Sequence, residues 1–174
     1  MHFEAWAPVS GTPHFVHNHA ALGAPSASVM PAIAARSGLK LEPAKPTVLV
    51  VEDEPLIRIL LCDLLEGAGL DVEDAPDADH ALERLSALGA ERNPCRVLVT
   101  DVNLGRGLDG VALAAEARRS VPGLEVLYVT GTPERVLKGR STPRPRERVL
   151  GKPFHAVELV EAVRGLVASS TARS

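Results

Sequence analysis

Three carboxylates stand where two short apolar runs end. Val48-Leu49-Val50-Val51 leads into Glu52-Asp53, and Val97-Leu98-Val99-Thr100 leads into Asp101. Short runs rich in β-branched residues read as buried strands of a parallel sheet. In such sheets ligands bind outside the carboxyl ends of the strands, at the point where strand order reverses. Acids gathered there repel one another unless a cation or a proton intervenes. The chemistry this placement offers is that of a metal-dependent phosphate site.

The elements that must position these acids alternate from Thr47 onward. Strand one spans Val48 to Val51. Pro55 suits the first turn of a helix, on which Leu56, Ile57, Leu60, Leu61, Leu64 and Leu65 form one broad apolar face, and Gly67 and Gly69 end it. A short strand over Leu70 to Glu73 follows. Asp77 is an acceptable N-cap for a second helix with Ala78, Ala81, Leu82, Leu85 and Leu88 inward. Strand three is Arg96 to Thr100, and the loop Asp101 to Gly110 leads into a third helix over Val111 to Arg119. Strand four is Glu125 to Thr130, strand five Arg148 to Leu150. A last helix from His155 to Val167 turns Val157, Val160, Val163, Leu166 and Val167 to one face. This alternation predicts a three-layer α/β domain with right-handed crossovers. One slot departs from it. Between strands four and five Gly131, Pro133, Gly139, Pro143 and Pro145 crowd the chain, so the fourth helix is expected to be short or mobile, a turn or so over Glu134 to Lys138.

Composition bounds what surrounds this domain. The 174 residues carry a net charge of -3, which leaves no electrostatic footprint for nucleic acid. The two cysteines are too few for a disulfide scaffold, and Cys62, within an apolar helical pattern, reads as a small core residue. No apolar run reaches the roughly 18 residues needed to span a membrane, and Met1-His2-Phe3-Glu4 lacks the start of a secretory signal. The cytoplasm is the expected compartment. Composition changes near Leu41, so residues 1–44 read as an N-terminal extension without fixed structure, 45–168 as the folded domain and 169–174 as a tail. His2, His14, His17 and His19 have no acid or cysteine at a ligand spacing and read as part of that extension, not as a metal site.

Four pieces carry a family resemblance: Val50-Val51-Glu52-Asp53-Glu54-Pro55, Val99-Thr100-Asp101-Val102-Asn103-Leu104, Tyr128-Val129-Thr130-Gly131 and Gly151-Lys152-Pro153-Phe154. In this order and at these intervals they resemble a response-regulator receiver domain over Thr47 to about Val167. The resemblance implies a CheY-like, flavodoxin-like, doubly wound five-stranded parallel sheet of order 2-1-3-4-5, working in bacterial two-component phosphorelay signalling. It implies that Asp101 accepts a phosphoryl group from a histidine kinase or a histidine phosphotransfer protein, with Mg2+ (or Mn2+) as cofactor. Asp53, Asp101 and the backbone carbonyl of Asn103 would hold that ion, and Glu52 would act through water or indirectly. Thr130 and Lys152 would contact the phosphoryl oxygens. Asn103 and Thr132 would tune how fast water removes the group, and the Lys152–Pro153 bond would be cis.

The sequence also departs from the ordinary receiver. Three positions before the lysine, where most receivers carry an aromatic switch residue, stands Val149. Tyr128, Thr130-Gly131 and the proline-broken helix slot resemble the FAT GUY subgroup of single-domain receivers, which points to phosphorylation ordering the segment from Gly131 to Glu147. After Val167 the sequence continues only with Ala-Ser-Ser-Thr-Ala-Arg-Ser, so a stand-alone regulator is expected. It would phosphorylate and dephosphorylate itself without being an enzyme towards other substrates, and would bind an unknown downstream protein or act as a phosphate sink. Neither nucleic acid nor membrane is an expected partner. Arg135, Lys138, Arg140, Arg144, Arg146 and Arg148 form a basic stretch, either a solvated face or a docking surface for an acidic partner. Two alternatives stand beside this reading: an aspartyl-phosphate hydrolase resembling the haloacid-dehalogenase-like phosphatases, although their second acid is replaced here by Asn103, and an unphosphorylated pseudo-receiver that only binds.

Overall fold

The computed structural model describes residues 46–90, 95–105, 107–139 and 141–172. The expected N-terminal extension, with its histidines, lies outside the described residues, as does Arg140. Five strands form one parallel sheet: β1 (Thr47–Val51), β2 (Asp71–Ala75), β3 (Cys95–Thr100), β4 (Glu125–Thr130) and β5 (Glu147–Gly151), in the order β2-β1-β3-β4-β5. The helices are α1 (Pro55–Gly67), α2 (Ala78–Ala90), α3 (Gly110–Ser120), α4 (Pro133–Leu137) and α5 (Ala156–Thr171). The strand order is the doubly wound one the resemblance implies.

The sheet is covered on both faces, which is why β1, β3 and β4 read as nearly unbroken apolar runs. On one face Leu61 and Leu65 of α1 and Leu159, Val163 and Leu166 of α5 pack on Val48, Val50, Val97 and Val99. On the other, Leu85 of α2 and Leu113 of α3 pack on Leu49, Val51 and Leu98, with Tyr128 beside them. The chain leaves β1 towards β2 and returns to β3 on the opposite side. The crevice at the carboxyl ends of β1 and β3 is therefore the switch point where such sheets bind ligands.

Several boundaries differ from the sequence reading. β2 begins and ends later than Leu70 to Glu73. The amide of Leu70 still bonds to the Leu65 carbonyl at 3.2 Å, closing α1 through Gly69 at φ 84°, and pairing with β1 starts at Asp71 opposite Thr47. β5 gains a residue at each end because Glu147 pairs with Val126 and Gly151 with Thr130. α5 runs on to Thr171, beyond Val167.

The apolar faces are also narrower than predicted. Leu56 and Leu60 are 76% and 51% exposed, so α1 faces the sheet through Leu61 and Leu65, with Ile57 and Leu64 half-buried at the margin. Val157 is 60% exposed, because it lies about 200° around the helix from Leu159, which heads the buried stripe. Cys62 sits half-buried at the cluster's margin rather than inside it. The fourth helix is short, as the prolines require. It covers five residues and stops where Lys138 and Gly139 turn left-handed, at φ 47° and 78°.

Candidate functional site

Each acid of the site is set by the strand before it. β1 delivers Glu52 and Asp53, β3 delivers Asp101, and the Asp101 amide bonds to the Val51 carbonyl at 3.1 Å, tying the two strand ends together. β4 ends at Thr130, whose carbonyl accepts from the Lys152 amide at 2.9 Å and so fixes the lysine that follows β5. The Lys152–Pro153 bond is cis.

Lys152 is the centre of the charge arrangement. Its ammonium donates to Glu52 Oε2 and to Asp101 Oδ2, both at 2.8 Å. Glu52 is only 2% exposed, and burial pushes its carboxyl above the usual value; the Lys152 hydrogen bond offsets this only in part. Burial works against the Lys152 charge too, but its hydrogen bonds to Asp101 and Glu52 outweigh that and hold the ammonium above its ordinary value. Asp101 Oδ1 accepts from the Asn103 amide at 3.0 Å. Asp53 is exposed, and its Oδ2 accepts from the Gly105 amide at 3.2 Å.

The hydroxyl side of the site is closed in on itself. Thr130 is fully buried, and its Oγ1 accepts from the Thr132 amide at 3.1 Å and lies 3.2 Å from Thr132 Oγ1. Asn103 Nδ2 reaches Thr132 Oγ1 only at 3.5 Å, a weak contact. The residues predicted from the sequence therefore come together, in two linked groups: Glu52, Lys152 and Asp101, and Asn103, Thr132 and Thr130. Asp53 stands apart at the outer rim.

Three contributors were not foreseen. Arg135 of α4 donates to Asn103 Oδ1 and, at 3.0 Å, to Asp109 Oδ2, clamping α4 to the loop that follows the strand-end aspartate. Asp109 also caps α3 by accepting from the Ala112 amide at 2.8 Å. An aspartate just before a helix is a recognisable N-cap, so this signal was present in the sequence; nothing local marks Arg135. The third is Gly110, where a Cβ would lie 1.9 Å from the Asp101 carbonyl oxygen and 2.9 Å from Thr100 Oγ1. Only a hydrogen fits there.

Among the described residues no three His, Cys, Asp or Glu side chains gather closely enough to hold a metal by themselves. Lys152 engages one oxygen each of Glu52 and Asp101, which leaves the Asp53 carboxylate, the other edge of Asp101 and the Asn103 carbonyl as donors. That set suits Mg2+, which takes one or two carboxylates and keeps several waters. It does not suit zinc, which asks for a compact nitrogen and sulfur cage.

The family described as "Response regulator receiver domain" matches residues 48–164. The chain belongs to this family. Receiver domains generally bind Mg2+ for phosphorylation on aspartate. This receiver is 31% identical over 120 residues to the response regulator receiver protein CpdR of Brucella abortus (strain 2308), covering 69% of this chain and 95% of CpdR. It is 30% identical over 121 residues to the sensor kinase CckA of the same organism, where it covers 70% of this chain but 12% of the kinase. Among solved structures it resembles a response regulator receiver protein from Sinorhizobium medicae WSM419, with a TM-score of 0.63 and 25% identity over 72% of this chain and 97% of that one.

Proposed function

We propose that this receiver is a stand-alone, single-domain response regulator that takes a phosphoryl group on Asp101 from a histidine kinase or histidine phosphotransfer protein in the cytoplasm. The observation that carries the proposal is Lys152, whose ammonium lies 2.8 Å from an oxygen of Asp101 and of the buried Glu52. A carboxylate can serve as a covalent phosphoryl acceptor. An Asp101 oxygen forms the new bond to phosphorus while the bond to the donor imidazole nitrogen breaks, and that nitrogen keeps the electron pair. Asp53, Asp101 and the Asn103 carbonyl would hold Mg2+, with Glu52 acting indirectly; when bound, the ion offsets the charge of the acids and of the incoming phosphoryl oxygens.

The chain's own groups then read the result. A phosphoryl group adds roughly -1.5 to -2 of charge, and Lys152 can turn from its carboxylates towards it. Thr130 can donate its hydroxyl to the same oxygens while still accepting from the Thr132 amide. Thr132 stands at the N-cap position of α4, so a change at Thr130 is felt at the start of the short helix. With Val149 in the usual aromatic position, the signal would pass through the order of the segment from Gly131 to Glu147, as in the FAT GUY subgroup. Asn103 and Thr132, beside the acceptor, would set the lifetime of the signal.

The donor protein must cover the crevice to reach Asp101, and the exposed Leu56, Ile59 and Leu60 of α1, directly after Glu52-Asp53-Glu54, offer it a dry rim. Among the described residues no helix is long and apolar enough to cross a membrane. The output is another protein, or the drainage of phosphoryl groups from a shared kinase.

The test is NMR of the whole chain with Mg2+ and acetyl phosphate or beryllium fluoride. Resonances around Asp101, Thr130 and Lys152 should shift, and those of residues 131–147 should change mobility. No response in the wild type, or the same response in Asp101→Ala, would overturn the proposal and leave a binding-only pseudo-receiver.

A further inference from the structure

A cavity of about 800 Å3 lies between α3, the five-residue α4 and the start of β5. We propose that this cavity binds a small organic anion with a flat apolar body. It is distinct from the phosphoacceptor crevice: neither Asp101 nor Lys152 lines it.

The floor is Tyr128. Its side chain is 99% buried (1% exposed) and lines the cavity, and no described residue hydrogen-bonds its hydroxyl. That hydroxyl is an accessible donor at the cavity wall, open to a ligand acceptor. Burial, and after it the Glu147 charge, pushes the phenol up to about 12, so it offers a proton at any physiological pH. One wall is α3, where Val111, Ala112 and Ala115 present a low apolar surface suited to a flat group.

The charges then decide the sign of the ligand. Two carboxylates line the cavity, and each is already paired: Asp109 with Arg135 at 3.0 Å and Glu147 with Arg118 at 3.0 Å. Arg144 gives its backbone amide to Glu147 Oε2 at 3.2 Å, but neither its guanidinium nor the Lys138 ammonium has a carboxylate partner among the described residues. Two cations are therefore left over, above an apolar wall and a hydroxyl donor. An aromatic carboxylate satisfies all three: its ring lies on α3, its charge meets Lys138 and Arg144, and an oxygen accepts from Tyr128.

The experiment uses the isotope-labelled whole chain, without Mg2+ or phosphodonor, titrated with 2-naphthoate and followed by NMR. Amides of Val111, Ala115, Tyr128 and Lys138 should shift saturably, with half-saturation below about 1 mM. The neutral 2-naphthamide should bind at least about fivefold more weakly, as should the double variant Lys138→Ala/Arg144→Ala for the carboxylate. Tyr128→Phe keeps the ring in the core and should weaken binding about threefold or more while the thermal midpoint stays near that of the wild type. The absence of saturable shifts, equal binding of acid and amide, or shifts centred on Lys152 would each overturn the proposal. The phosphorylation reading is unaffected by any of these results, since neither phosphodonor nor Asp101 takes part.

Discussion

Lys152 serves two carboxylates with one ammonium, and the more deeply placed of them has no second cationic partner among the described residues. Glu52 is 2% exposed, so replacing Lys152 by Met leaves that carboxyl buried with its strongest counter-charge gone. The variant should lose about 1–3 kcal/mol of stability in urea denaturation. Adding Glu52→Gln should restore part of that loss, because an amide carries no charge to strand. A second residue-level expectation concerns Cys62. Burial first, then the nearby Asp74 charge, pushes its thiol from 9.0 up to about 11. The thiolate is the reacting form, so near pH 8 alkylation by iodoacetamide should run roughly a hundredfold slower than at an unperturbed thiol. Its rate should climb about tenfold per pH unit until the pH nears that value, as mass spectrometry can follow. Cys95, 3% exposed and pushed up to about 12, should stay unmodified until the protein unfolds.

At the level of elements, α1 separates apolar residues that pack from those that merely look as though they should. Leu65→Ala should cost about 2–5 kcal/mol, since the side chain is fully buried against β1 and α5. Leu56→Ala, at 76% exposed, should stay within about 0.5 kcal/mol by the same urea measurement. The difference explains what the sequence could disclose. β1, β3 and β4 were legible because burial on both faces forces a run of Val and Leu. β2, with the sequence Asp-Val-Glu-Asp-Ala and one buried residue, was legible only roughly because an edge strand needs no such run. The broad stripe on α1 was over-read, since periodicity shows which residues could face a sheet and not how far the sheet reaches. The site divides the same way. Glu52, Asp53, Asp101 and Lys152 each follow a strand end and Thr130 closes β4, and those positions are written locally. The clamp from Arg135 to Asn103 and Asp109 joins α4 to a loop about thirty residues away, and only the folded chain brings them together. Arg118 is another such tie. It donates to the Leu124 carbonyl at 3.2 Å, to the Arg146 carbonyl at 2.7 Å and to Glu147 at 3.0 Å, locking α3 to the entry of β4 and β5. Arg118→Ala should cost about 2–3 kcal/mol by the same denaturation measurement.

For the whole molecule, the sheet is the rigid frame, and the parts expected to change state hang from its carboxyl edge. One joint in that frame has no spare volume: Gly110, where a methyl carbon would sit 1.9 Å from the Asp101 carbonyl oxygen. The amide of Gly110 also bonds to the Val102 carbonyl at 3.0 Å, so neither the helix start nor the strand end can easily step aside. Gly110→Ala should lose about 1–3 kcal/mol or more in urea. Every amino-acid substitution at this position installs a larger side chain. In a mutational scan read by the yield of folded protein, position 110 should thus tolerate no other residue as well as glycine, and its mildest variant should be temperature-sensitive. Selection at this position would act through folding, on a residue whose whole contribution is the absence of a side chain.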